Sequence, residues 1–234
     1  MKPVCLVVGA GAGIGGTVGK RFAGEGYHVV LCRRSDAEGL NTLVADIKAE
    51  GGEASGCLLN AAEEHTLEDM ISATEKGVGP IEVVVFNLGA QIGDRALQDT
   101  SHKAFELCWR LATLSLFRVA STVCPLMEKR GKGTLLITSA TAAVRGNPGQ
   151  HAHAAAMGGR RMLCQSLNAE FGPKGIHVAH ILLDGAVDAP DTLGKMLGPE
   201  AFQTLRESRG TDHDAFMLPP KIPTTHLHLP PQHP

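Results

Sequence analysis

The feature that most constrains the fold is a run of glycines set directly behind a short apolar segment. Val4-Cys5-Leu6-Val7-Val8 leads into Gly9-Ala10-Gly11-Ala12-Gly13-Ile14-Gly15-Gly16, and an amphipathic stretch follows. Five apolar residues in succession, closed by glycine, read as a strand buried on both faces. Two overlapping spacings fall on the turn, Gly11-x-Gly13-x-x-Gly16 and Gly9-x-x-x-Gly13-x-Gly15. Glycine at these points permits a tight reversal and lets backbone N–H groups approach a pyrophosphate at the N-terminus of the next helix. Such a spacing says little by itself; between a buried strand and a helix it indicates a dinucleotide-binding turn.

The remaining chain supplies the matching series. Residues 4–8, 28–32, 54–59, 83–87, 134–138 and 177–183 read as strands, all continuous apolar runs. Residues 15–26, 37–50, 66–76, 101–129 and 151–171 read as helices between them. Alternation with crossovers of this length implies parallel pairing, hence an α/β fold with a Rossmann-like doubly wound sheet in three α/β/α layers. Residues 1–210 form one expected domain, in which Gly198-Pro199-Glu200 reads as a helix start. Residues 211–234 turn to proline and histidine and read as an irregular tail, in which His226-x-His228 is too little to argue a metal site.

Composition removes other classes. A net charge of -2 gives no basic field for nucleic acid, and 4 % aromatic residues offer few stacking platforms. Cys5, Cys32, Cys57, Cys108, Cys124 and Cys164 are scattered without a C-x-x-C pair, which suits reduced core thiols and no metal centre. No run reaches the ~18–20 apolar residues of a membrane span. The expectation is a cytoplasmic protein acting on a small molecule, without nucleic-acid or membrane partners.

The end of the second strand bears on the nucleotide. An acidic residue there would bind the ribose hydroxyls of NAD(H). The chain instead has Leu31-Cys32-Arg33-Arg34-Ser35, with Asp36 too late to replace the acid. Arg33 and Arg34 suit a 2′-phosphate through paired charge-assisted hydrogen bonds, which favours NADP(H) over NAD(H).

From Val4 to about Val187 the chain resembles the short-chain dehydrogenase/reductase family. Gly9-x-x-x-Gly13-Ile14-Gly15 is similar to its cofactor turn, with Val8 where threonine is common. Asn60-Ala61 stands at its adenine-side Asp position, Phe86-Asn87-Leu88-Gly89 resembles its N-N-A-G segment, and Asp184-Gly185 stands where many members have Pro-Gly. The resemblance implies cofactor contacts at Gly9, Gly11, Gly13, Ile14, Gly15, Asn60, Ala61, Asn87, Gly89 and Gly185. It also implies a homodimer or homotetramer paired through helices 101–129 and 151–171, and a further helix and seventh strand that this ending does not resemble.

Members of that family reduce carbonyls or oxidise alcohols with an Asn, a Ser and a Y-x-x-x-K pair, the last two on one helix face. Matching Arg145-Gly146-Asn147-Pro148-Gly149 to the segment before the tyrosine puts the tyrosine position on His153 and the lysine position on Met157. The serine position falls on Ala140, with Ser139 one residue early, and the asparagine position on Ala112. Tyr27, the chain's one tyrosine, lies far from this helix in sequence. His153 is the candidate proton donor, because imidazole titrates near neutrality. Ser139 is the candidate for orienting the substrate oxygen, and Arg160 or Arg161 could turn toward the same cleft. Two functions follow. One is an NADP(H)-linked oxidoreductase with weak or non-standard chemistry; the other is an inactive nucleotide-binding pseudoenzyme serving as a partner or regulatory subunit.

Overall fold

Each expected strand forms, and the six assemble into one parallel sheet. The computed structural model describes residues 2–89, 91, 93–208, 217–219 and 222–223. The strands are β1 (Val4–Val8), β2 (His28–Arg33), β3 (Glu53–Leu58), β4 (Ile81–Phe86), β5 (Gly133–Ala140) and β6 (Ile176–Leu183). Their order is β3-β2-β1-β4-β5-β6, with every neighbouring pair parallel. The winding reverses between β1 and β4, and the crevice beyond their C-terminal ends is where such a sheet takes a ligand.

Every residue of β1 is fully buried, as its unbroken apolar run requires. Burial on both faces does not extend to β3. It is an edge strand, and Leu58 keeps 48 % of its surface. The two faces carry separate apolar layers. Val18, Phe22, Leu40 and Ile47 of α1 (Ile14–Gly24) and α2 (Ala37–Ala49) pack with Val7, Val29, Leu31 and Val85. On the other face lie α3 (Thr66–Gly77), α5 (Ser115–Arg130) and α6 (His151–Phe171). Their Leu67, Ile71, Leu116, Val123, Cys164 and Phe171 meet Leu6, Val30, Phe86 and Leu135. Each large side chain so buried contributes about 1.5–3 kcal/mol.

The helix expected over 101–129 is interrupted. It begins as α4 (His102–Trp109), capped by Ser101 Oγ accepting from the Ala104 N–H, and widens into a π turn over Arg110–Leu114 before α5. The Arg110 carbonyl accepts from the backbone N–H of Ser115, five residues on, and the Ser115 hydroxyl, 2.8 Å from the same carbonyl, shares its one proton between it and the Ala61 carbonyl. By length and composition this whole stretch could cross a membrane, contrary to the sequence expectation. Leu116, Val119, Val123 and Met127 are instead buried against the sheet, as in a core helix.

Beyond β6 a π turn over Pro190–Gly194 and a short α7 (Lys195–Leu197) lead to α8 (Pro199–Ser208), which starts at Pro199 as its sequence suggests. The expected irregular tail contains an ordered contact. Met217 pairs with Val187, its N–H donating to Ala186 and its carbonyl accepting from the Asp188 N–H. His213, His226, His228 and His233 lie outside the described residues.

Candidate functional site

The glycine turn is built on contacts that admit no side chain. Gly9 has φ +98°, and a Cβ there would stand 2.6 Å from the Asn87 carbonyl oxygen. A Cβ on Gly15 would collide with the Gly9 carbonyl oxygen. Gly13 sits at the N-cap of α1 without a side-chain cap, and the first turn carries no acidic residue. The Gly11 carbonyl accepts from the Gly16 N–H at 2.9 Å, which closes the turn. Gly13 and Gly15 are buried, while Gly11 and Ile14 keep partial exposure. The N–H groups of Ile14 and Gly15, which open α1 ahead of that bond, have no intrahelical partner, the usual setting for an anion.

Strand β2 holds this turn from the side. The Cys32 carbonyl accepts from both Gly9 N–H and Ala10 N–H at 2.9 Å. Arg33 follows and reaches a cavity of about 480 Å³ that Gly16, Thr17, Lys20 and Lys195 also line. Asp36 lines the same cavity. Its backbone is left-handed at φ 67°, which turns the carboxylate back to Arg33 Nη2 at 2.9 Å while it caps Gly39 of α2. Arg34 is exposed and does not line the cavity.

The loops after the other strands complete this end of the sheet. Asn87 Nδ2 donates to the Gly9 carbonyl at 3.1 Å and couples β4 to the turn. Asn60 makes a local turn, its Oδ1 accepting from Ala62 N–H and its Nδ2 donating to Glu63. The buried Ala61 offers its carbonyl to Ser115 Oγ at 2.9 Å and to Arg118 Nη1 at 3.2 Å. Gly89 and Gly185 are exposed at the ends of their strands, and Met217 lies 3.7 Å from where a Gly185 Cβ would stand.

The candidate catalytic positions converge on the inward face of α6. His153, Met157 and Arg160 are all buried there, and Met157 touches Ser139 of β5, whose hydroxyl donates to the thioether at 3.8 Å. His153 keeps 8 % of its surface and Ser139 5 %. Ala112 is fully buried at the centre of the π turn. His151 is on another side of the helix and only partly buried. His177 and His180 lie within β6, and burial lowers both imidazole pKa values. For His180 the charges of Arg160 and Arg161 add to that lowering. Tyr27 packs edge-on against Phe22, away from this cleft.

Arg160 is the residue that sequence reasoning undervalued. It is 1 % exposed, and its guanidinium donates to three carbonyls: Nε to Ala112 at 3.0 Å, Nη1 to Thr138 at 2.7 Å and Nη2 to Leu88 at 2.8 Å. It also stacks 4.9 Å from the centre of the Phe86 ring. Burial lowers its pKa to about 10, so the group is still charged at neutral pH. The π turn, β5 and the segment after β4 are thus tied together by one buried cation. The available signal was an arginine one turn beyond Met157 on an otherwise apolar inward face.

Comparison with known proteins agrees with this geometry. The family described as short chain dehydrogenase matches residues 3–192. A short-chain reductase protein NovJ from Streptomyces niveus is 30 % identical over 209 residues, 88 % of this chain and 78 % of the relative. A crystal structure of a short-chain dehydrogenase from Rhodopseudomonas palustris aligns with TM-score 0.74 and 32 % identity, over 92 % of this chain and 96 % of that one. A 7 alpha-hydroxysteroid dehydrogenase complexed with NADH and 7-oxo glycochenodeoxycholic acid aligns with TM-score 0.84 and 27 % identity, covering 96 % and 86 %. The chain belongs to the short-chain dehydrogenase family.

Proposed function

We propose that this protein binds NADP(H) and acts as a slow oxidoreductase on a small carbonyl or alcohol, with His153 as the proton donor. The observation that carries the reading is the glycine turn, closed so tightly at Gly9 and Gly15 that only backbone can face the ligand. The residues present fit a dinucleotide. Uncapped N–H groups of α1 suit the pyrophosphate, and Arg33, in a cavity that Lys195 also lines and where Lys20 is paired with Asp46 at 2.8 Å, suits a 2′-phosphate. Asp36 already engages part of the Arg33 guanidinium, so the preference for NADP(H) rests on the donors that fork has left.

Bound nicotinamide supplies the hydride chemistry; the chain supplies position and protons. His153 on α6 would hold or release the proton at the substrate oxygen, and Ser139 would orient that oxygen once its hydroxyl leaves Met157. Met157 has no charge with which to tune the acid, so general acid catalysis, worth ~10²–10⁴-fold, is incomplete. The test is NADPH consumption over a panel of small carbonyls. Slow turnover that His153→Ala abolishes is expected, and turnover unchanged in that variant removes His153 from the mechanism.

A specific arrangement favours the second reading, a nucleotide-binding pseudoenzyme acting as a partner. Arg160 occupies the Ala112 carbonyl and Met157 occupies the Ser139 hydroxyl, which leaves the usual relay positions internally satisfied. Saturable NADPH binding with no turnover on any carbonyl would select it. Family members often oligomerise. The exposed Phe105, Trp109 and Phe117 on α4 and α5, with Met162 on α6, support a twofold pairing of these helices in a homodimer or tetramer.

A further inference from the structure

Cys32 and Cys57 are register partners on β2 and β3, and their sulfurs lie 3.2 Å apart. Neighbouring strands run ~4.7–4.9 Å apart. That places directly paired Cα atoms inside the ~4.4–6.8 Å a disulfide spans. Cys32 is buried and Cys57 is partly exposed. Cys57 lines a groove of about 630 Å³ between β3 and α3, with Ser55, Leu59, Met70, Ala73 and Val78 around it. One sulfur of the pair is therefore reachable while the other stands directly behind it. The two are chemically unequal as well. The hydrogen bond between them lowers the Cys57 thiol pKa from its ordinary value and raises that of Cys32 well above it, so Cys57 is the more readily ionised of the two. Cys5, Cys108, Cys124 and Cys164 are buried, with their thiols pushed up by desolvation.

The pair is wired to the glycine turn. The Cys32 carbonyl is the acceptor for both Gly9 N–H and Ala10 N–H, and the next residue is Arg33. Closing the sulfurs from 3.2 Å to the ~2.05 Å of a disulfide turns both side chains and fixes the local register of β2 on β3. Any adjustment it draws from β2 passes to the turn through the Cys32 carbonyl and to Arg33, whose own carbonyl accepts from the Leu59 N–H at 3.0 Å.

We infer that Cys32 and Cys57 form an oxidisable dithiol, a modification site for small hydroperoxides, and that closing it to a disulfide weakens dinucleotide binding at the turn. The second half rests on the cofactor reading above; the first does not. Cys57 thiolate attacks one peroxide oxygen and the O–O bond breaks. The other oxygen leaves as water after taking a proton, and Cys57 becomes a sulfenic acid. The Cys32 sulfur then attacks the Cys57 sulfur, the S–O bond breaks, and hydroxide leaves as water with the Cys32 proton. Two thiols lose two electrons to one hydrogen peroxide, giving one disulfide and two waters. Glu63 and Asp69 line the groove. Their charge disfavours an anionic disulfide such as oxidised glutathione and leaves a neutral peroxide as the fitting oxidant.

The experiment uses the full chain, reduced and then exposed to hydrogen peroxide under native conditions, with peptide mass mapping and NADPH titration on the same samples. A Cys32–Cys57 cross-linked peptide is expected, reversed by dithiothreitol and absent in Cys57→Ser. In Cys32→Ser, oxidation should stop at a sulfenic acid on Cys57 that dimedone labels. The NADPH Kd should rise about tenfold on oxidation, ~1.4 kcal/mol, return on reduction, and stay insensitive to peroxide in Cys57→Ser. Folded protein that yields no cross-link overturns the dithiol. A quantitative cross-link with an unchanged Kd overturns its coupling to the turn. Reduced protein that binds no NADPH sinks the cofactor reading instead, and the mass map still decides the dithiol.

Discussion

Replacing Arg160 with methionine strips three carbonyls of their donor at once, those of Ala112, Thr138 and Leu88. Each buried acceptor left unsatisfied costs about 1–3 kcal/mol. Against this, methionine roughly fills the space and removes the expense of holding a charge out of water, which burial of the guanidinium makes plain. The balance is a loss of about 3–5 kcal/mol, the range seen when a buried charged contact is broken from one side. Such a loss is a large part of the ~5–15 kcal/mol that stabilises a typical domain. Urea unfolding gives the total, and native-state hydrogen exchange locates it. Protection should fall after β4, at the end of β5 and across the π turn together, because one group ties all three. A loss below about 1 kcal/mol, or exchange that changes in only one of the segments, would refute the view that Arg160 is their common tie.

Further outcomes follow from neighbouring contacts. Gly15→Ala drives a Cβ into the Gly9 carbonyl and should weaken NADPH binding more than ~10-fold in a titration, while Gly24→Ala, where nothing crowds the site, should leave it unchanged. Arg33→Ala should cut the NADPH-over-NADH affinity ratio by about tenfold or more; an unchanged ratio removes Arg33 from 2′-phosphate recognition. Burial holds His177 and His180 below the ordinary imidazole value, so the unfolded chain takes up their protons first as pH falls. Their contribution is complete above about pH 6.5 and lost as pH falls below it through the lowered folded values. Urea midpoints between pH 7 and 5 should show the decline, and His177→Asn/His180→Asn should flatten it.

Much of the architecture was legible because burial writes directly into sequence. Val4–Val8 had to be a central strand, since a run without polar residues has no solvent face to offer, and the glycines after it had few other uses. The interruption at Arg110–Leu114 was not legible. Its stabilising contacts, from Arg160 and within Ser115, come from side chains whose partners only the fold brings near. The Asp36–Arg33 ion pair was not legible either, because it depends on a left-handed backbone at Asp36 that folds the carboxylate back onto Arg33. The Cys32–Cys57 contact was invisible as well, because strand register across 25 residues is not a spacing any motif encodes. Setting Ala112, Ala140, His153 and Met157 at the catalytic positions is an expectation of the sequence resemblance; the fold adds that Ala112, His153 and Met157 are buried. The identity of the group holding the rest of the site together could not be read from the sequence.

The proposed function stands first on the nucleotide turn being competent to bind NADP(H). Calorimetric titration of the reduced full chain with NADPH, with NADH as the paired ligand, tests this most directly. Saturable binding of one NADPH per chain at micromolar Kd, about tenfold or more tighter than NADH, is the predicted result. The absence of saturable heat from either nucleotide with folded protein would contradict it.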